Sequence, residues 1–277
     1  MYWYSLRTQC ISMIRKKTTV ITFFIILVLV MINFYVNMIV NYNISDVTQM
    51  KDTVKMLTLS DWTICGYYIM EFYPLLVVLP TACAYMNDKE IGIRNYMDSR
   101  IGKKIYWYSK VMAVFIVTVV VFTVPFILEL LISGISFGFN HIGDGSGIDY
   151  ISVIENENRY LFSELFLKNK VIYAVVMILI FGIVSGILAV FNFSIVTLPF
   201  FKYKIFAFFP LYILIYILSF VQKLARLKHE INYKFILRMF STSDINYAEI
   251  FVFLSILSII SFVLISKKIR QEDVENI

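Results

Sequence analysis

The chain has 277 residues, of which 60% are hydrophobic, 17% aromatic and only 16% charged, and its mean hydropathy is +0.77. A soluble domain is about a quarter charged and about half apolar, so this composition excludes a disordered chain, a collagen-like repeat and a secreted disulfide scaffold. It points to a polytopic membrane protein, in which a net charge of +6 and a pI of about 9.0 reflect Lys and Arg held near an anionic leaflet; no nucleic-acid recognition motif is present.

Taken in chain order, residues 2–17 come first. Trp3, Leu6, Cys10, Met13 and Ile14 share one helical face beside Arg15 and Lys16, which predicts an amphipathic helix lying in the membrane interface. A membrane-crossing helix takes about 20 apolar residues, and six stretches qualify. The first is about 18–40, too long for a signal peptide and lacking a small-x-small cleavage site, so it is expected to be an uncleaved span. The second, about 62–86, is entered by Trp62 and bent by Pro74 and Pro80. A short charged loop leads to the third, about 105–132.

A polar, acidic loop over 139–170 follows, with Asp144, Asp149, Glu155, Glu157 and Glu164. Its Gly143-Asp-Gly-Ser-Gly147 piece reads as a flexible turn, because no Gly-Lys-Ser/Thr follows and no strand precedes it. The fourth span, about 171–197, has Gly182 and Gly186 in a small-xxx-small arrangement. The fifth, about 205–223, contains Pro210. Leu224, Leu227, Ile231 and Phe235 then recur at near-helical spacing, as in a segment folding back onto the membrane surface. The sixth span is about 248–266. The fold class is therefore an all-α membrane protein, a single transmembrane domain over 1–277. Its tails and loops leave no room for a catalytic domain of about 150 residues, so any energy source belongs to another chain.

Lys and Arg set the expected orientation. The N-terminal tail, the second and fourth loops and the C-terminal tail together hold 15 basic residues, against 10 on the opposite side. Both termini are thus expected in the cytoplasm. The fifth loop, with Lys223, Arg226, Lys228, Lys234 and Arg238, departs from the rule.

Chemistry-bearing clusters are scarce. Cys10, Cys65 and Cys83 show no metal or redox spacing, and the two histidines, His141 and His229, lie far apart in outer loops. No HExxH or GxSxG motif occurs, so no catalytic residue, metal ligand or resident cofactor is expected. Two carboxylates fall in predicted spans. Glu71 lies roughly 10–14 Å deep at 1.5 Å per residue, where an insertion cost of about 2.5–3.5 kcal/mol demands a partner, water or protonation. Glu129 falls near the outer end of span three, at the interface. Both are candidates for a translocation path. Asn33, Asn37 and Asn192 suit hydrogen bonds between helices, and Pro74, Pro80, Pro125 and Pro210 suit kinks.

The most informative stretch runs from Asn87 to Lys110. Glu90 and Arg94 stand at i, i+4 in the favourable order, and Ile91, Ile93, Tyr96 and Met97 add apolar contacts to an otherwise charged short helix around 88–98. Such a helix needs a partner to cover its apolar groups. Glu90-Ile-Gly92, Arg94-Asn95, Ser99-Arg100, Lys103-Lys104, Tyr106 and Ser109-Lys110 resemble the corresponding loop of ABC-2-type transporter permeases. One departure is Asp98, where that family often has proline. Leu165-Phe-Leu-Lys-Asn169, Tyr173, Ser194, Pro199, Lys202-Tyr-Lys204 and Pro210-Leu-Tyr212 resemble later spans of small Gram-positive members that export antimicrobial peptides or confer immunity to them.

The resemblance implies a coupling helix between helices 2 and 3 that docks on a separate ABC ATPase subunit. Its docking residues would be Glu90, Ile91, Gly92, Ile93, Arg94, Tyr96, Met97, Ser99 and Arg100. It also implies that ATP and Mg are bound by that partner, that a second permease subunit pairs with this one, and that an amphipathic peptide, lipid or drug is exported across a bacterial cytoplasmic membrane. A secondary transporter, a channel or an ATP-independent immunity protein is the alternative reading.

Overall fold

The computed structural model describes residues 1–42, 53–60, 63–82, 84–90, 92–138, 162–201, 203–225 and 247–274. All regular structure among them is helical. His141, His229, Cys83, Ile91, the Gly143–Gly147 turn and most of the 224–247 segment lie outside the described residues.

The N-terminal helix α1 spans Tyr2–Ile14, and α2 follows at Lys17–Asn41 after a bend at Lys16, whose backbone is extended. A single helical turn, α3 (Thr53–Met56), precedes α4 (Ile64–Val78). Two short helices, α5 (Ala84–Glu90) and α6 (Ile93–Ile101), lead into the 35-residue α7 (Lys103–Phe137). Then come α8 (Ser163–Lys168), α9 (Lys170–Val196), a 3-10 helix at Lys204–Phe208, α10 (Phe209–Ala225) and α11 (Tyr247–Val274).

Local chemistry explains the boundaries. The Thr63 side chain accepts the Gly66 N–H and caps α4, and the Asn169 side chain accepts the Ile172 N–H and caps α9. The predicted second span does not run on as one helix: α4 gives way to a turn at Leu79–Ala82 before α5 begins. Pro80 has no N–H to offer the preceding turn, which ends the ladder there.

Among the described residues, four helices are long and apolar enough to cross a membrane: Lys17–Asn41, Lys103–Phe137, Lys170–Val196 and Ile250–Gln271. Two further apolar stretches, Ile64–Val78 and Lys204–Leu218, are shorter. The chain is therefore a helical membrane protein. At 1.5 Å per residue α7 is roughly 52 Å long, well beyond the ~30 Å hydrocarbon core, so its ends reach past the apolar layer.

Helices α7 and α9 form the centre and run antiparallel. Trp107 meets Phe193 near one end, and Phe122 and Phe126 meet Phe181 further along. Tyr73 of α4 completes this aromatic core edge-on to Phe122, and its hydroxyl lies 2.8 Å from Ser185 Oγ. By contrast, α2 and α11 leave most of their surface uncovered. At the glycine pair α9 packs tightly on α7. A Cβ on Gly182 would collide with Thr123 Oγ1, which is itself held 2.6 Å from the Val119 carbonyl; one on Gly186 would sit 2.7 Å from the Phe115 ring.

Gly182→Ala is therefore expected to destabilise the protein by about 1–3 kcal/mol through overpacking, seen as a lower midpoint of thermal unfolding in detergent. Thr123→Ala in the same chain removes the obstructing hydroxyl and should restore most of the loss. No recovery in the double variant would show that the contact is not the one that limits α7–α9 approach.

Candidate functional site

Two buried polar clusters sit at opposite ends of α7, with α1 and α2's first turn at the proximal end and α3 at the distal end. The distal cluster holds residues 53–60, all of them buried although only α3 is regular. Irregular backbone in a membrane protein needs partners from side chains where water is excluded. They come from one face of α2, where Asn33, Asn37 and Asn41 recur every four residues. Asn33 and Asn37 both donate to the Met56 carbonyl, at 2.9 and 2.8 Å, and Asn41 donates to the Met56 sulfur at 3.2 Å.

From the other side α7 supplies Glu129. One of its oxygens, Oε1, accepts the Thr58 N–H at 2.9 Å, the Thr58 hydroxyl at 2.6 Å and the Asn33 amide at 2.9 Å. Thr53 Oγ1 donates to the Gly138 carbonyl at 2.5 Å and ties the segment to the end of α7. Glu129 was expected at the interface. It is 2% exposed, because the 53–60 segment folds over it and Thr58 supplies two of its three donors, with Asn33 of α2 supplying the third. The asparagines were expected to join helix to helix; Asn33 does so to Glu129 of α7 and Asn192 to the start of α10, while Asn33 and Asn37 also hold this segment. Asn41 and Thr58 carried no expectation; the four-residue spacing from Asn33 to Asn41 is the signal that would have found the first.

The proximal cluster joins α1, α5 and α7. Ser5 Oγ lies 2.8 Å from Ser109 Oγ, and the Gln9 amide donates to Ser109 Oγ at 2.7 Å. Asp88 of α5 accepts from Lys110 Nζ at 2.5 Å and from the Tyr106 hydroxyl at 3.0 Å, both on Oδ2. Lys16 Nζ stands 4.0 Å from its other oxygen. Lys110 is 2% exposed, so the basic residue taken as a sign of orientation is a buried ion-pair partner. Cys10 lies on α1 nearby, and burial pushes its thiol up from the usual range.

Next to this cluster lies the expected docking segment. A single helix over about 88–98 does not form. Gly92 adopts φ 74, a left-handed conformation that glycine takes at little cost, and it separates α5 from α6. Glu90 and Arg94 consequently belong to different helices. Glu90 instead pairs with Lys204 at 2.6 Å, with side chains 60% and 44% exposed; such a surface pair is worth about 0–1 kcal/mol. On α6, Ile93 and Tyr96 are exposed while Met97 packs against the core. The Arg100 guanidinium sits 4.5 Å over the Tyr96 ring, and Ser99 Oγ donates to the Tyr96 carbonyl. Arg94 belongs to α6, with its side chain outside the described set.

Glu71 lies elsewhere. It is exposed on α4, in a groove of about 560 Å³ between α4 and the start of α10. Tyr67, Tyr68 and Phe72 line one wall, and Phe208, Phe209 and Tyr212 the other. Glu71 and Glu129 therefore occupy separate environments, one open and aromatic, one closed and hydrogen-bonded. Among the described residues no cluster of His, Cys, Asp or Glu could hold a metal ion.

Comparison with protein-family models, curated proteins and solved structures finds no match for this chain.

Glu129→Ala strands the Thr58 and Asn33 donors, each at about 1–3 kcal/mol, and should loosen residues 53–60. A Leu57→Cys reporter in a cysteine-free background is expected to become several-fold more reactive to a membrane-impermeant maleimide, while Glu129→Gln, which keeps a carbonyl acceptor, stays protected. Equal protection in the alanine variant would refute the clamp. At the other end, Asp88→Ala leaves Lys110 buried without its carboxylate and should cost about 3–5 kcal/mol. Adding Lys110→Met should recover most of that in a detergent thermal melt.

Proposed function

We propose that this chain is the membrane subunit of an ATP-driven exporter of the ABC-2 permease type. The observation that carries the reading is the α5–Gly92–α6 elbow. It shows exposed Ile93 and Tyr96 on one side, and on the other it is rooted by Asp88 in Lys110 and Tyr106 of α7. A surface helix with uncovered apolar groups, fixed to the central helix by a buried ion pair, suits a part that receives a push and passes it on. In this reading an ATPase subunit, which binds ATP and Mg, docks on the elbow through Glu90, Ile91, Gly92, Ile93, Tyr96 and Arg100. The two shorter apolar helices cross the membrane with the four long ones, which makes six spans. Both termini and the elbow face the cytoplasm of a bacterial cell, and a second permease subunit completes the pathway for an amphipathic cargo.

A secondary transporter or channel is the competing reading. It is favoured by Glu129, a carboxylate buried inside a membrane-crossing helix, since such groups often mark ion paths. The three donors on Glu129 Oε1 fit a structural clamp better than an ion path.

Because the Glu90–Lys204 pair is exposed, Glu90→Ala should leave folding intact. Gly92→Pro changes the elbow, since proline cannot adopt the positive φ at this position. Both variants are expected to insert normally and to retain several-fold less ATPase on co-purification from the native membrane. An ATPase retained at the unaltered level by both, or absent from the unaltered protein, would overturn the docking role.

A further inference from the structure

We propose that the groove between α4 and α10 binds an organic cation: a quaternary ammonium, phosphonium or alkylated amine whose positive charge is carried on apolar substituents. Each wall repeats one pattern. On α4, Tyr67 and Tyr68 are followed four residues after the first by Glu71; opposite, Phe208 and Phe209 are followed four residues after the first by Tyr212. Helical spacing turns each set toward the same space. The result is a carboxylate among aromatic rings, in a groove of about 560 Å³, within the range of small-molecule sites.

The chemistry selects sign and shape together. Ring faces carry negative potential and attract a cation over them, the principle of an aromatic cage. Glu71 brings a carboxylate to the same opening. An anion of equal size would meet repulsion from both. A hydrated metal ion would keep its water and make poor use of the rings, whereas a cation clothed in alkyl or aryl groups fills them. Tyr67, Tyr68, Phe72 and Tyr212 are each about half exposed or more, so the rings are open to a ligand. Both walls belong to the two shorter apolar helices, which places the opening within reach of a headgroup as well as of a solute. The assignment of this cation as cargo rests on the exporter reading, while the binding itself does not.

The test uses the purified full chain in uncharged maltoside micelles, without an ATPase. Saturable, protein-dependent binding of tetraphenylphosphonium is measured by equilibrium dialysis, with tetraphenylborate as an anion of the same shape. The cation is expected to bind at least about tenfold more tightly, equivalent to about 1.4 kcal/mol. Glu71→Gln and Tyr212→Leu are each expected to lose about tenfold, with unchanged circular dichroism and elution. Two variants are used so that the result stands if one fails to fold. Equal saturable binding of tetraphenylborate, or unaltered cation affinity in a folded Glu71→Gln or Tyr212→Leu protein, would overturn the proposal. Displacement by added phosphatidylcholine identifies a lipid headgroup as the natural source of the cation; retention of tetraphenylphosphonium in its presence identifies a diffusible one. Loss of ATPase co-purification would leave this result untouched, and loss of cation binding would leave the exporter reading untouched.

Discussion

A backbone amide or carbonyl inside a bilayer has no water to turn to, and that constraint governs where this chain spends its polar side chains. At several breaks in the helical ladder, a side chain from a neighbouring long helix reaches across to supply the missing bond. Asn33 and Asn37 serve the Met56 carbonyl, and Glu129 serves the Thr58 N–H. Asn192 does the same between α9 and α10. Its amide donates to the Ala207 carbonyl, and its oxygen accepts the Leu211 N–H, an unsatisfied donor in the first turn of α10. Even the Pro80 carbonyl, at the turn that ends α4, faces the Thr19 hydroxyl. The long helices act as rigid posts, and the short irregular pieces hang from them.

Periodicity and length made those posts legible. The predicted spans at about 18–40 and 171–197 fall within a residue of α2 and α9, because a run of more than twenty apolar residues admits one structure in a membrane. The N-terminal helix was readable from its apolar spacing, although the face it buries holds Ser5, Leu6, Gln9 and Met13, while Trp3 and Ile14 of the expected face are exposed. Where prolines and glycines cluster, the reading coarsened. Pro80 splits the second predicted span, and Gly92 splits the predicted coupling helix. The fifth span begins with a 3-10 turn rather than a continuous helix. Propensity places such breaks only loosely, since a positive φ or a tightened turn depends on what is packed alongside.

The polar sites were legible as residues and not as arrangements. Glu129, Asn33, Asn37 and Asn192 stood out because a polar group in an apolar run is costly. Their partners did not, because Met56 contributes a carbonyl that every residue has, and Thr58 and Ser109 are ordinary in loops and helix ends. The buried pairing of Lys110 was not legible for a physical reason. A lysine at the start of a span follows the positive-inside rule whether it snorkels to the headgroups or turns inward to a carboxylate. Only the approach of α5, which carries Asp88, decides between the two, and that approach depends on the turn at Leu79–Ala82.

Helix α7 links the two polar clusters. It holds Lys110 in the proximal cluster and Glu129 in the distal one, roughly 28 Å apart at 1.5 Å per residue. Close packing against α9 at Gly182 and Gly186 leaves it little room to bend on that side. Cores are close-packed and tend to shift between discrete arrangements rather than deform smoothly. Under the exporter reading, a displacement of the elbow would enter α7 through the Asp88–Lys110 pair and reach the 53–60 segment through Glu129. Both joints are ionic or multiply hydrogen-bonded, whereas the α7–α9 contact between them is apolar and non-directional. Under the exporter reading, α7 would carry that movement between the buried side chains Lys110 and Glu129 at its two ends.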